Sequence, residues 1–166
     1  SASPWDCSQT MRGLRTLHAR MRCHEENAQA VVRVLDGHAA VRRVHYPGLV
    51  NHPDHSLARA QQSGFGAIIS FELAGGEHEV KTFLESLSLF TLAESLGGVE
   101  SLICHPASMT HAAMTADARA AAGIESTLLR LSVGIEHTPD LVTDVFTALE
   151  CARNCVEPAF KIVDCA

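Results

Sequence analysis

Lysine is almost missing from this chain of 166 residues: Lys81 and Lys161 are its whole complement. The formal net charge is −6 at pH 7, and no basic block or arginine-rich face offsets it. That excludes nucleic acid and anionic membrane surfaces as expected partners, because both are held by clustered cations. No stretch reaches the roughly 20 apolar residues that cross a bilayer. None has the basic, apolar, small-residue order of an export signal either. A soluble, cytoplasmic protein is expected. Internal repeats and low-complexity segments are also lacking. Six cysteines are present, but their spacing is irregular and no export signal accompanies them, so reduced thiols are expected. Cys151, Cys155 and Cys165 lie close together near the end. With no neighbouring His and no Cys-x-x-Cys pair, no metal site is expected there.

What remains is enough for one domain, since 46% of the residues are hydrophobic and a packed core is within reach. The chain opens on Ser3-Pro4-Trp5-Asp6, a helix cap followed by Pro at the first helical position, and no leader is expected ahead of it. From Pro4 to about Asp36, Met11, Leu14, Leu17, Met21, Ala28, Val31 and Leu35 recur at spacings of three, four and seven. They predict one long helix closed by Gly37. At 1.5 Å per residue it would run roughly 50 Å, which overreaches a small domain and suggests that it leans on another one.

Val41 to His45 reads as a short strand closed by the Tyr46-Pro47-Gly48 turn. A brief helix follows from Pro53-Asp54-His55 to about Ser63-Gly64, then a strand from Ala67 to Leu73 between glycines. Val80, Phe83, Leu84 and Leu87 give another helix. Leu102 to Cys104 is a strand, Thr115-Ala-Asp begins an alanine-rich helix ending at Gly123, and Thr127 to Val133 is a strand. Pro139-Asp140 starts a last helix with Leu141, Val145, Phe146 and Leu149 toward the sheet. Strands and helices in this order allow parallel βαβ units or an antiparallel sheet with helices on one side. The pattern leaves both open.

Two runs stand out. In Leu89-Phe-Thr-Leu-Ala-Glu-Ser-Leu-Gly-Gly-Val-Glu-Ser101 an apolar, strand-like segment breaks into the polar turn Glu94-Ser95. A Gly-Gly pair follows and lets the backbone approach a ligand closely. In Leu128-Leu-Arg-Leu-Ser-Val-Gly134 one arginine stands inside an apolar stretch, where a guanidinium is expensive unless an anion meets it. A receptor for a carboxylate or phosphate would have this composition. An edge-strand or ion-paired arginine would have it too. Among the histidines, His45, His52 and His55 with Asp54 have the residue types of a metal site, but solvated loop histidines account for them. His105 and His111 lack the third partner of a catalytic arrangement, so structural hydrogen bonds are expected of them.

Arg12-Gly-Leu-Arg-Thr-Leu17, Tyr46-Pro-Gly-Leu49, Gly64-Phe-Gly66, Ser70-Phe-Glu-Leu73, the Leu89 to Ser101 run, Met109-Thr-His111 and Leu128 to Glu136 together cover nearly the whole chain. In that order they closely resemble the C-terminal domain of the pyridoxal phosphate enzymes of cysteine and methionine metabolism. That family includes cystathionine γ-synthase, cystathionine γ-lyase and methionine γ-lyase. The resemblance implies an α/β fold of the α+β type, a small, mostly antiparallel sheet covered by helices on one face. It implies residues 1–37 as a long interdomain linker helix, 38–150 as the small C-terminal domain and 151–166 as an atypical cysteine-containing tail.

The resemblance also implies roles. Arg130 matches the arginine that pairs with the substrate α-carboxylate, and a planar fork of donors suits that task. Ser95 matches the serine beside it; on its own it reads as a turn serine. Glu94 matches a position that varies in the family, where an acid fits the γ-synthase and γ-lyase branches and a distal ammonium. On its own it reads as a solvated carboxylate. Pyridoxal phosphate is implied as cofactor of the full-length enzyme, carried on a lysine of an N-terminal domain that is missing here. Neither Lys81 nor Lys161 lies in the Ser/Thr-flanked motif of that lysine, and no glycine-rich phosphate turn is present. The expectation is therefore half of an active site, with no catalytic residue in this chain, no cofactor bound to it and no activity alone. The substrate is expected to be an amino acid and the intact protein a homotetramer. The Leu89 to Ile103 run points to γ-replacement of an acylated homoserine by cysteine, as in cystathionine γ-synthase. Cystathionine γ-lyase or a related sulfhydrylase or lyase is the alternative, and a free-standing amino-acid-binding module lies outside the family.

Overall fold

In a computed structural model the chain is described from residue 2 to residue 155. Lys161 and Cys165, and most of the expected tail, lie outside the described residues. The elements in order are α1 (Pro4–Arg15), α2 (Leu17–Asp36), β1 (Val41–His45), α3 (His55–Gln61), β2 (Ile68–Leu73), α4 (Glu77–Ser86), β3 (Thr91–Leu92), β4 (Leu102–Cys104), α5 (Ala116–Ala121), β5 (Leu128–Ser132) and α6 (Thr138–Asn154).

The strands form one sheet in the order β1-β2-β5-β4-β3. Three pairings are antiparallel and the last, β3 with β4, is parallel. The mostly antiparallel alternative is therefore the one adopted. Side chains alternate across a strand, and here the alternation separates two unlike faces. Ile69, Phe71, Leu73, Ile103, Leu129 and Leu131 point into a core shared with Ala28, Val31 and Leu35 of α2, Val80 and Phe83 of α4 and Leu141, Val145 and Leu149 of α6. Phe71 and Phe83 meet edge to face with ring centroids 5.6 Å apart. The opposite face carries Ser70, Glu72, Cys104, Arg130 and Ser132, of which Ser70, Arg130 and Cys104 fall in register across β2, β5 and β4.

The long N-terminal helix expected from Pro4 to Asp36 is two helices that meet at Thr16. Gly13, which favours helix poorly, and Thr16 leave the end of the first helix weak. The Arg20 side chain then seals the break, donating from Nη2 to the Gly13 carbonyl at 2.8 Å and from Nε to Thr16 Oγ1 at 3.3 Å. At the start, Ser3 and Asp6 cap each other's backbone N–H at 3.2 Å. The two helices differ in kind: α1 buries no residue, whereas α2 buries seven.

Two further expectations are corrected. Leu89 and Phe90 are not strand: the backbone N–H groups of Ser88, Leu89 and Phe90 all turn to the Asp144 carboxylate, and only Thr91–Leu92 pair with β4. Phe146 does not face the sheet but is 49% exposed, with its ring edge-on to His38. The buried stripe of α6 runs Leu141, Asp144, Val145, Ala148, Leu149, Ala152. Position 146 stands about 100° away from 145 on a helix of 3.6 residues per turn.

Candidate functional site

Strand β5 places Arg130 between Leu129 and Leu131, both fully buried on the core side, so its side chain leaves the sheet on the opposite face. Its cross-strand neighbours are Ser70 on β2 and Cys104 on β4. The guanidinium reaches the loop that follows β3, donating from Nη2 to the Ser95 carbonyl at 3.1 Å. Its Nε–H is buried and has no partner among the described residues. A buried donor left unmade costs about 1–3 kcal/mol, and more on a charged group. An anion delivered to that edge of the fork would satisfy it.

The receiving loop is shaped by its backbone. The Ala93 N–H bonds the Ile103 carbonyl at 2.9 Å, and Gly97 donates to Ser132 Oγ at 2.9 Å. Gly97 has φ +78°, a conformation that a side chain would strain. The segment therefore folds back over β4 and β5 and sets Ser95 beside Arg130. Both Glu94 and Ser95 are exposed there. Arg130, on the central strand of the sheet, and Ser95 thus come together on the face away from the core, with the exposed Glu94 next to Ser95 in the loop.

Glu72 shares that face. It accepts hydrogen bonds from Arg42 and from His45, whose Nε2 lies 2.9 Å from its Oε1. The bulge between Val41 and Arg43 lets β1 present Arg42 to this carboxylate. Burial resists ionisation of Glu72, but the bonds from His45 and Arg42 and the charge of Arg42 outweigh it and hold the carboxyl below its usual range. Glu72 is thus a satisfied structural anion.

The other polar candidates disperse. Besides His45, His55 bonds the Pro47 carbonyl at 2.8 Å and His52 receives the Asp54 N–H at 3.2 Å. His105 bridges Ser108 Oγ at 2.7 Å and the Ser126 carbonyl at 2.8 Å, and His111 pairs with Thr110. No group of three or more metal-binding side chains forms among the described residues. Lys81, the single lysine among the described residues, is exposed on α4 with Glu85 3.8 Å away. Because α4 packs on the core side of the sheet, that amine is on the far side from Arg130.

Two carboxylates that frame the loop escaped the sequence reading. Asp144 holds its entry through three N–H groups, and Glu136 holds its exit through Ser101. Asp144 had a signal, an acid inside the apolar stripe of α6. Glu136 had none, since an acid two residues beyond a strand reads as surface.

Comparison with known proteins gives the family and the fold. A family model described as Cys/Met metabolism PLP-dependent enzyme matches residues 1–150. Over 150 residues the chain is 52% identical to cystathionine gamma-synthase of Escherichia coli (strain K12), covering 90% of this chain and 39% of that protein. Over 148 residues it is 50% identical to cystathionine gamma-lyase of Dictyostelium discoideum, covering 89% of this chain and 38% of that protein. The structure of cystathionine gamma synthase from Xanthomonas oryzae pv. oryzae in complex with cystathionine superposes with a TM-score of 0.88 at 62% identity, over 93% of this chain and 40% of that one. The chain therefore spans well under half the length of these relatives.

Proposed function

Since the chain belongs to the Cys/Met metabolism PLP-dependent enzyme family, we propose that it is the C-terminal part of a cystathionine γ-synthase-like enzyme. On this reading it supplies the receptor for the substrate α-carboxylate. The net reaction is replacement at Cγ: the acyloxy group of an acylated homoserine leaves with the bonding pair, and cysteine sulfur adds after losing its proton. The observation that carries the reading is the half-used guanidinium of Arg130, one donor tied to the Ser95 carbonyl and one buried donor open. Two donors on one planar fork fix both the position and the rotation of a carboxylate. Glu94, exposed and next to Ser95 in the loop, offers a charge to a distal ammonium. The identity of 62% to a γ-synthase structure favours the synthase over the lyase.

The described residues do not fit the cofactor itself. Pyridoxal phosphate needs a lysine amine and a phosphate cradle, and Lys81 lies on the helix-covered side away from Arg130. We assign the cofactor to an N-terminal domain of the longer protein, with residues 1–37 as the connecting segment and 38–150 as the small domain. The intact protein is proposed to be a homotetramer. The test is the longer protein incubated with O-succinylhomoserine and cysteine. Formation of cystathionine supports the synthase; cleavage of cystathionine as the sole activity rejects it in favour of a lyase. An amino acid bound tightly by the isolated chain would instead favour a free-standing binding module.

A further inference from the structure

The Arg130 receptor has one wall that does not move with its strand: the Ser95 carbonyl belongs to a loop. Something must hold that loop at hydrogen-bonding distance. At its exit the Ser101 N–H donates to Glu136 Oε1 at 2.6 Å and the Ser101 hydroxyl donates to Glu136 Oε2 at 2.8 Å. The same hydroxyl oxygen accepts the Gly134 N–H at 2.8 Å. Ser101 is fully buried, so each of these groups would be costly to leave unpaired. The Ile135 N–H adds a bond to the Val99 carbonyl at 2.9 Å. At Gly134 the two segments touch directly: a Cβ there would stand 2.4 Å from Val99 O and 2.7 Å from the Glu100 carbonyl carbon.

Glu136 is itself fixed from behind. Asn27 on α2 donates to the backbone carbonyls of Gly134 at 3.0 Å and Glu136 at 2.8 Å, and its own carbonyl accepts from Thr138. Next to it, His24 bonds the Val133 carbonyl at 2.7 Å. Two buried side chains of α2 therefore hold the backbone from which the Glu136 carboxylate reaches across to the loop.

We propose that Glu136 is a positioning residue for substrate recognition: acting through Ser101, it holds the Glu94–Ser101 loop so that the Ser95 carbonyl orients Arg130 toward the α-carboxylate. This rests on Arg130 being that receptor. A carboxylate suits the role because its two oxygens take two donors of one residue at once, fixing the rotation of the loop as well as its distance.

The test uses the full-length enzyme and two inert competitors, norleucine, which carries an α-carboxylate, and norleucinamide, which does not. Glu136→Gln keeps the size of the side chain and loses one acceptor. It is expected to raise the Ki of norleucine by about tenfold, the order of a small misplacement of a binding group. The Ki of norleucinamide should be unchanged, and amide hydrogen exchange across residues 95–101 should accelerate. Equal loss for both competitors, or unaltered exchange in that segment, would overturn the proposal. Arg130→Ala is measured alongside. If it fails to separate the two competitors, the receptor reading falls and this proposal with it. If it separates them and Glu136→Gln does not, only the positioning role is lost. Should Glu136→Gln not fold, Ser101→Ala, which removes the shared hydroxyl, is judged by the same two criteria.

Discussion

A guanidinium presents five N–H donors in a rigid fork, and at Arg130 the protein itself uses only one edge of it. The Nη2 bond to Ser95 fixes the side chain, and the buried Nε–H is left for a ligand. In the full-length enzyme Arg130→Ala should lower kcat/KM by about 3 kcal/mol, roughly a hundredfold, as expected for a lost charge-assisted pair. Arg130→Lys should recover only part of it, because an ammonium cannot match both carboxylate oxygens in a plane. Steady-state kinetics decides, and a change within about twofold for both variants would be inconsistent with the receptor. Two other residues bound the stability profile in pH. The carboxyl of Glu72 is held below its usual value of 4.5, so its contribution is complete above that value and is lost as pH falls through the folded pKa. Burial, then the charge of Glu25, pushes the Tyr46 hydroxyl up from 10.0 to about 12. Its contribution is complete below pH 10 and is lost as pH rises toward 12. Melting temperatures against pH should fall at both ends. Glu72→Gln should flatten the acid limb and Tyr46→Phe the alkaline limb; limbs unchanged in the variants would contradict both assignments.

Among the elements, strands β1 and β4 run over the residues expected of them, Val41–His45 and Leu102–Cys104. Arg130 stood out in the sequence as a charge within an apolar strand, a pattern that an edge-strand or ion-paired arginine shares; the fold puts it on the central strand β5, where it donates to the Ser95 carbonyl. The departures are tertiary. The break at Thr16 depends on Arg20 reaching back four and seven residues, and β3 is short because Asp144, distant in sequence, takes the donors of Ser88, Leu89 and Phe90. Local periodicity does not announce Arg20, and it shows Asp144 only as an acid inside the apolar stripe of α6. Glu136 and Ser101 were hidden in the same way, each unremarkable until the fold brings them together. Asp144→Ala should leave three backbone donors without their acceptor, two of them bonded at 2.8 and 3.0 Å. A loss of about 2–3 kcal/mol in urea unfolding is expected. A loss below about 0.5 kcal/mol, the scale of ordinary surface changes, would show that water replaces the carboxylate.

At the scale of the molecule, the sheet divides a helix-covered core side from a polar side bearing the candidate site. The second exposed feature is the N-terminal helix pair, on which Trp5 (71%), Met11 (56%), Leu14 (56%), Leu17 (39%) and Met21 (43%) stand open. Large apolar side chains exposed along a helix pair favour association. The isolated chain should self-associate at high concentration in sedimentation velocity, and Met11→Ser with Leu14→Ser should return it to monomer. A monomer before and after the change would contradict the assignment of this face as an interface. On the polar side, a structure of the full-length protein with a bound amino-acid substrate or product decides whether Arg130 receives the carboxylate. One carboxylate oxygen is expected at about 2.7–2.9 Å from Arg130 Nε, the charge-assisted range, with the Nη2 bond to Ser95 intact. A substrate carboxylate bound elsewhere, with Arg130 Nε turned to a group of the protein itself, would contradict it.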